Sequence, residues 1–239
     1  MKRKTSILAA LATLGLVVSA SATTTISYTY YTATGSSDTS WVSPTGSTSV
    51  KAVNFGGAET IFGGVTWLAG NQGGETFNAV APISMYFSAP SAAWGSNHPD
   101  YYNDGTPLLE EGAWSALQSG TVDFRIDMNG FTVGQEYLVQ FLLVDSRTQF
   151  VGRTVTIDGY SANIATQDSA AYQFAFGDSK YAVVTARFTP AAGDTDFAFR
   201  ALNSGYGTQI NGVQVLTIPE PSAALLGGLG MLALLRRRR

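Results

Sequence analysis

The feature that most constrains this chain is a run of short segments that alternate apolar and polar residues, or are apolar and β-branched, with no helical period among them. Residues 122–128 (VDFRIDM) set Val122, Phe124, Ile126 and Met128 on one face and Asp123, Arg125 and Asp127 on the other. A period of two predicts a half-buried strand. Glu136–Asp145 (EYLVQFLLVD) is almost continuously apolar and predicts a central strand. Further strands are predicted at Thr24–Thr32, Val50–Phe55, Thr60–Trp67, Ile83–Ser88, Arg153–Asp158, Tyr160–Ala165, Lys180–Thr189, Thr195–Leu202 and Ile210–Ile218. Val50–Phe55 and Thr60–Trp67 are expected to join at Gly56-Gly57. Asp158-Gly159 is expected to close a hairpin, and residues 180–189 and 195–202 are expected to pair. Ala33–Thr48, rich in Ser, Thr and Gly, reads as loop. Ten or eleven strands with short turns and almost no helix predict an all-β fold, an antiparallel two-sheet sandwich of jelly-roll type.

Two segments stand outside that pattern. At the front, Lys2, Arg3 and Lys4 precede an apolar run from Ile7 to Val18 and small residues at Ala20 and Ala22. This is the layout of a cleaved secretory signal peptide covering residues 1–22; a retained N-terminal anchor is the other reading. At the back, Pro219-Glu220-Pro221 is stiff, Ser222–Leu235 is small and apolar, and Arg236, Arg237, Arg238 and Arg239 follow. The 14 apolar residues would make a helix of about 21 Å, short against a hydrocarbon core of ~30 Å. The arginines would hold its end on the cytoplasmic side. A core helix would instead show a polar face.

The order of motif, short helix and basic end in residues 218–239 resembles the PEP-CTERM sorting signal of bacterial exported proteins. The resemblance implies handling by secretion machinery, signal peptidase and an exosortase that cuts near the motif. It implies anchoring, transient or stable, in the cell envelope, at the cell surface or in an extracellular matrix. Residues 23–217 would be the exported body. The run Phe131–Ile157 and the closing Gln209–Val213 resemble the second half of galactose-binding-like or malectin-like jelly rolls; that resemblance places no ligand residue.

Charge excludes some partners. The two terminal segments hold seven of the 14 cations and one of the 17 acids. The body keeps seven cations against sixteen acids, a net of −9, which repels nucleic acid and anionic membrane surfaces. There are no cysteines, so stability rests on core burial, and 195 body residues suffice for one domain.

Trp94–Trp114 (WGSNHPDYYNDGTPLLEEGAW) is polar, acidic and aromatic and reads as a long loop with room for a short helix near Leu108. Trp94, Tyr101, Tyr102 and Trp114 are candidates for stacking on sugar rings, which makes polysaccharide a candidate ligand. The alternative is that they cap the core. Asp100, Asp104, Glu110 and Glu111 supply hard oxygen donors for a structural calcium ion, without EF-hand spacing; the alternative is a solvated acidic loop. No cofactor is expected beyond that ion.

No catalytic residues are expected. His98 is the lone histidine, which disfavours catalytic zinc, and no G-x-S-x-G turn accompanies it for a triad with Ser96. Glu110, Glu111, Asp123 and Asp127 are available to a glycosidase, but adjacency or a solvent-facing strand does not set them across a cleft. Asp145, Arg147 and Arg153 suit an ion pair at one turn. Gly205-Tyr206-Gly207 lacks the nucleotide-loop pattern, and no regular Thr array suggests an ice-binding face. The chain therefore reads as a non-catalytic surface or matrix protein, with carbohydrate binding through the aromatic loop as the alternative.

Overall fold

A computed structural model describes residues 23–35, 37–55, 57–70, 83–88, 92–95, 106–110, 112–115, 122–144, 154–160, 169–173, 181–203 and 209–219. They form fifteen strands and one helical turn. The strands are β1 Ser27–Ala33, β2 Thr48–Asn54, β3 Thr60–Phe62, β4 Val65–Ala69, β5 Ser84–Ser88, β6 Ala92–Gly95, β7 Gly112–Ser115 and β8 Val122–Asn129. They continue with β9 Glu136–Leu143, β10 Thr154–Tyr160, β11 Ser169–Gln173, β12 Tyr181–Phe188, β13 Asp196–Asn203, β14 Gln209–Ile210 and β15 Gly212–Ile218. The helical turn, α1, is Pro107–Glu110.

A seven-stranded sheet has the order β1-β12-β9-β15-β2-β4-β3, and a five-stranded sheet has the order β11-β10-β13-β8-β5. Pairing is antiparallel except between β2 and β4. A small third sheet, β14-β7-β6, rises at one end. The chain is thus an all-β sandwich, as the alternating segments predict.

The main core lies between the two large sheets. Val139, Phe141 and Leu143 of β9 and Val213 and Val215 of β15 meet Ile126, Met128, Ile157, Phe197 and Phe199 from the other sheet. Phe131, Tyr137, Phe188 and Phe197 close one end of it. Phe131 meets Tyr137 and Phe197 edge-on at 4.8 and 5.2 Å between centroids, the arrangement that aromatic quadrupoles favour.

The seven-stranded sheet is buried on its other face as well. Leu142, Val144, Tyr181 and Val183 lie under Trp41, Val42, Phe62, Trp67, Leu108 and Leu109. Trp41 comes from the predicted loop, which is indeed a loop but folds down as a cap. Its indole N–H donates to Tyr181 Oη at 2.9 Å, and its carbonyl accepts from Gln140 Nε2 at 2.8 Å. Burial on both faces is the physical reason that β9 reads as continuous rather than alternating.

Four expectations are corrected. Residues 60–67 are not one strand: Gly63 and Gly64, at φ 59° and 77°, turn β3 into β4 through two successive left-handed angles, which glycine takes without strain. Asp158-Gly159 is no turn, because β10 runs straight through it. A Cβ on Gly159 would sit 2.8 Å from Ile26 Cδ1 and from Phe199 Cε1, so this glycine serves close packing. Asp158 meanwhile pairs with Arg200 on β13, with an Nε–Oδ1 distance of 2.8 Å. Residues 180–189 and 195–202 do not pair with each other. β12 and β13 belong to opposite sheets, and Phe188 faces Phe197 across the core at 4.5 Å. Finally, the count of ten or eleven strands is too low, since strands of two to four residues carry no sequence period.

Gly159→Ala is expected to lower stability by about 1–3 kcal/mol through overpacking. Gly35→Ala, whose Cβ would meet nothing closer than Ser37 Oγ at 3.9 Å, should change it by less than ~0.5 kcal/mol. Urea unfolding of the two variants beside the parent measures both.

Candidate functional site: a crest rooted in the main sheet

The described parts of the aromatic stretch, 94–95, 106–110 and 112–114, are strand and helical turn where its composition predicts mostly loop. Pro107 opens α1, a position where a missing N–H is no loss, and Thr106 O accepts from the N–H groups of Leu109 and Glu110. Leu108 and Leu109 are fully buried in the outer core. One residue after α1 the chain enters β7, which pairs antiparallel with β6 on one side and β14 on the other. Trp94 therefore lies on β6 opposite Ala113, and Trp114 lies on β7 opposite Ala93 and Gln209. Two tryptophans 20 positions apart in sequence are brought to neighbouring strands one register step apart, which places them on opposite faces of the small sheet.

What fixes this crest to the body is one asparagine. Between β14 and β15 the chain passes from the small sheet to the seven-stranded sheet, and Asn211 stands at the change. Its N–H donates to Leu142 O at 2.9 Å, and its carbonyl accepts from Phe55 N at 2.8 Å. Its side-chain Oδ1 accepts from Val144 N at 3.1 Å, and its Nδ2 donates to Leu109 O at 3.2 Å. Four polar backbone partners are satisfied by one fully buried residue, where an unpaired group would cost heavily. Gly212 follows because nothing larger fits: a Cβ there would lie 2.9 Å from Trp67 Cζ3, 3.0 Å from Val53 O and 3.2 Å from Leu108 Cδ1.

The remaining predicted site residues distribute as follows. Tyr101, Tyr102, Asp100, Asp104, Glu111 and His98 lie outside the described residues. Glu110 ends α1, half-buried, and among the described residues no group of three His, Cys, Asp or Glu is placed to hold a metal. Asp127 is engaged by Arg125 at 2.8 Å on the outer surface. Pro219 is exposed directly after β15, whereas Glu220, Pro221, the arginines 236–239 and the N-terminal segment 1–22 lie outside the described residues. The Asp145–Arg147–Arg153 turn and Gly205–Gly207 do so too. Among the described residues no helix is long and apolar enough to cross a membrane.

Two surface features were not foreseen from sequence. Tyr31 Oη donates to Asp38 Oδ2 at 2.6 Å and Ser40 Oγ donates to Asp38 Oδ1 at 3.0 Å; these bonds hold the Asp38 carboxyl below the ordinary carboxylate range. At the Thr48 end β2 and β4 diverge, leaving a cleft of about 330 Å³ lined by Ser49, Lys51, Ala52, Val65 and Thr66 among others. Lys51 Nζ donates to Ile83 O at 3.1 Å, and burial pushes its ammonium pKa down.

No known protein family matches the sequence, and no curated protein matches it. Among solved structures, it is similar to an arabinose-bound GH51 α-L-arabinofuranosidase (14% identity, TM-score 0.35, 55% of this chain and 23% of that one). It is also similar to the CBM22-1–GH10 modules of a Clostridium thermocellum endo-1,4-β-D-xylanase with xylohexaose (12%, 0.33, 57% and 25%). A third is TmCBM61 with β-1,4-galactotriose (9%, 0.21, 55% and 89%). The chain spans about a quarter of the length of the first two. At these identities and TM-scores the likeness assigns the chain to no family.

Asn211→Ala would strand the buried Val144 N–H and Leu109 C=O. The expected loss is about 2–4 kcal/mol by chemical denaturation, from two unsatisfied groups at ~1–3 kcal/mol each less some relaxation. Asn211→Asp can still accept from Val144 but cannot donate to Leu109, and its loss should differ accordingly.

Proposed function

We propose that this protein is an exported, non-catalytic β-sandwich of the bacterial cell surface that binds polysaccharide through the β6–β7 crest. The observation that carries the binding reading is the rooting of that crest. A short β ribbon bearing Trp94 on one face and Trp114 on the other is tied to the core by Asn211 and by the buried pair Leu108-Leu109, so either face can offer a rooted aromatic. Aromatic side chains on a fixed backbone lose little entropy on meeting a ligand, and their broad apolar faces suit sugar rings. With a body net charge of −9, a neutral polysaccharide is favoured over a polyanion.

The finer fold class we assign is a jelly roll. It is supported by the way β8, β9, β10, β12, β13 and β15 alternate between the two sheets along the chain. The routing reading rests on the residues of the two terminal segments: a signal peptide cut after Ala22, and a Pro219-Glu220-Pro221 motif with its apolar run and Arg236–Arg239 as substrate of an exosortase. In that reading the tail delivers and retains the body, and the body supplies the contact with polysaccharide.

Residues 23–218, which hold every described strand, should be retained on at least one of a panel of immobilised neutral polysaccharides. The Trp94→Ala/Trp114→Ala variant, with an unchanged circular dichroism spectrum, should bind about 10-fold more weakly or worse, a loss of at least ~1.4 kcal/mol. Equal retention of parent and folded variant would remove the crest as the site. Retention of neither would remove carbohydrate binding for the panel tested.

A further inference from the structure

Both ends of the body leave the sandwich on the same side, and the crest is on the other. β1 begins with Ser27 opposite Arg187, near the end of β12, and β12 ends with Phe188 opposite Tyr137 at the start of β9. β15 ends with Ile218 opposite Glu136, the first residue of β9. Thr217 pairs with Thr48, the first residue of β2. At the N-terminal side Thr24 is buried and pinned: its Oγ1 donates to Asp194 Oδ2 at 2.6 Å and accepts from Ala191 N at 2.8 Å. At the C-terminal side Gln135 Nε2 donates to Ile218 O at 2.6 Å. Entry and exit are thus both fastened to the end of the sandwich that carries the 130–135 and 189–195 turns.

The opposite end holds Gly212, paired with Leu142 and Asn54 where β9 and β2 finish. There Asn211 hands the chain to the crest. The segment Gln209–Ile218 therefore runs from the crest to the exit, and β15 spans about 23 Å at ~3.3 Å per residue.

We propose that the membrane-bound protein stands on its Ile218 end and holds the β6–β7 crest away from the lipid, with β15 as the strut between them. The inference rests on the membrane reading of the two terminal segments given above. Both apolar runs, Ile7–Val18 and Ser222–Leu235, would join the body at one end, so a single bilayer can hold either or both without turning the body over. β15 suits the role because all seven of its residues pair with β9 and most pair with β2 on its other side. Tension between a polymer at the crest and an anchor at the tail would act along the strand, across both ladders at once, and not peel one bond at a time.

The absence of cysteine allows single labels. Glu59→Cys marks the crest end: Glu59 is exposed beside Ala58, whose carbonyl is held by Asn54 Nδ2 at 3.0 Å. Thr132→Cys marks the exit end and is also exposed. The full chain, labelled with a donor dye and reconstituted in liposomes carrying a headgroup acceptor, should show about 3-fold more energy transfer at position 132 than at 59, given ends ~23 Å apart. Ala58→Cys and Thr195→Cys provide a second pair. Equal transfer, or more transfer at 59, in protein that floats with the liposomes would overturn the orientation alone. A full chain that does not float would overturn the anchoring reading and the orientation with it. Polysaccharide retention is scored separately and leaves this result untouched.

Discussion

The structure depends on how one buried asparagine solves a problem of backbone bonding. A strand that leaves one sheet for another abandons its ladder partners at the change, inside the protein, where water cannot replace them. At Asn211 the backbone N–H and C=O are taken by Leu142 and Phe55, and the side-chain amide serves Val144 and Leu109. The amide donates from Nδ2 and accepts at Oδ1, so an ionised carboxylate, which only accepts, cannot do the same work at this place. Remove it and the crest and the main sheet lose their common hinge point.

Around that hinge the burial is unusually two-sided for a sheet this exposed in composition. The Trp41 cap, Trp67 and α1 cover the outer face of the seven-stranded sheet, so β9 and the neighbouring parts of β12 and β15 have no solvent face there. The crest therefore does not hang from an edge. It grows from the most deeply buried part of the molecule, where Gly212 lets Leu108 and Trp67 close over the backbone. A rigid base of this kind is what a binding surface needs if its aromatic side chains are to be presented without a large ordering cost.

The sequence announces some of this and conceals the rest, for physical reasons that differ by residue. β8 and β9 are legible because their periodicity directly reports which faces are buried. Trp41 was legible only as part of a loop, since its burial depends on Tyr181 and Gln140, 140 and 99 residues away. Asp158-Gly159 carries a true local turn signal, overruled by the need for a residue without a side chain against Ile26 and Phe199. β6 and β7 have four residues each, too few for a period, and their pairing is set by chain far away. A clue was present in Gln209-Ile210-Asn211-Gly212-Val213: an Asn-Gly pair interrupting an otherwise strand-like run marks a place where the backbone must do something else. Trp94 and Trp114 were legible as candidates by residue type, but their placement on adjoining strands was not.

The measurement that tests the rooted crest most directly is native-state hydrogen exchange across a denaturant series, comparing the amides of β6 and β7 with those of β15. If Asn211 and the buried leucines make crest and sheet one cooperative unit, these amides should share the opening free energy and denaturant slope of the β15 core. Exchange of the β6 and β7 amides through a local opening, many times faster than β15 and insensitive to denaturant, would show a crest that moves independently of the body and would contradict its rooting in the main sheet.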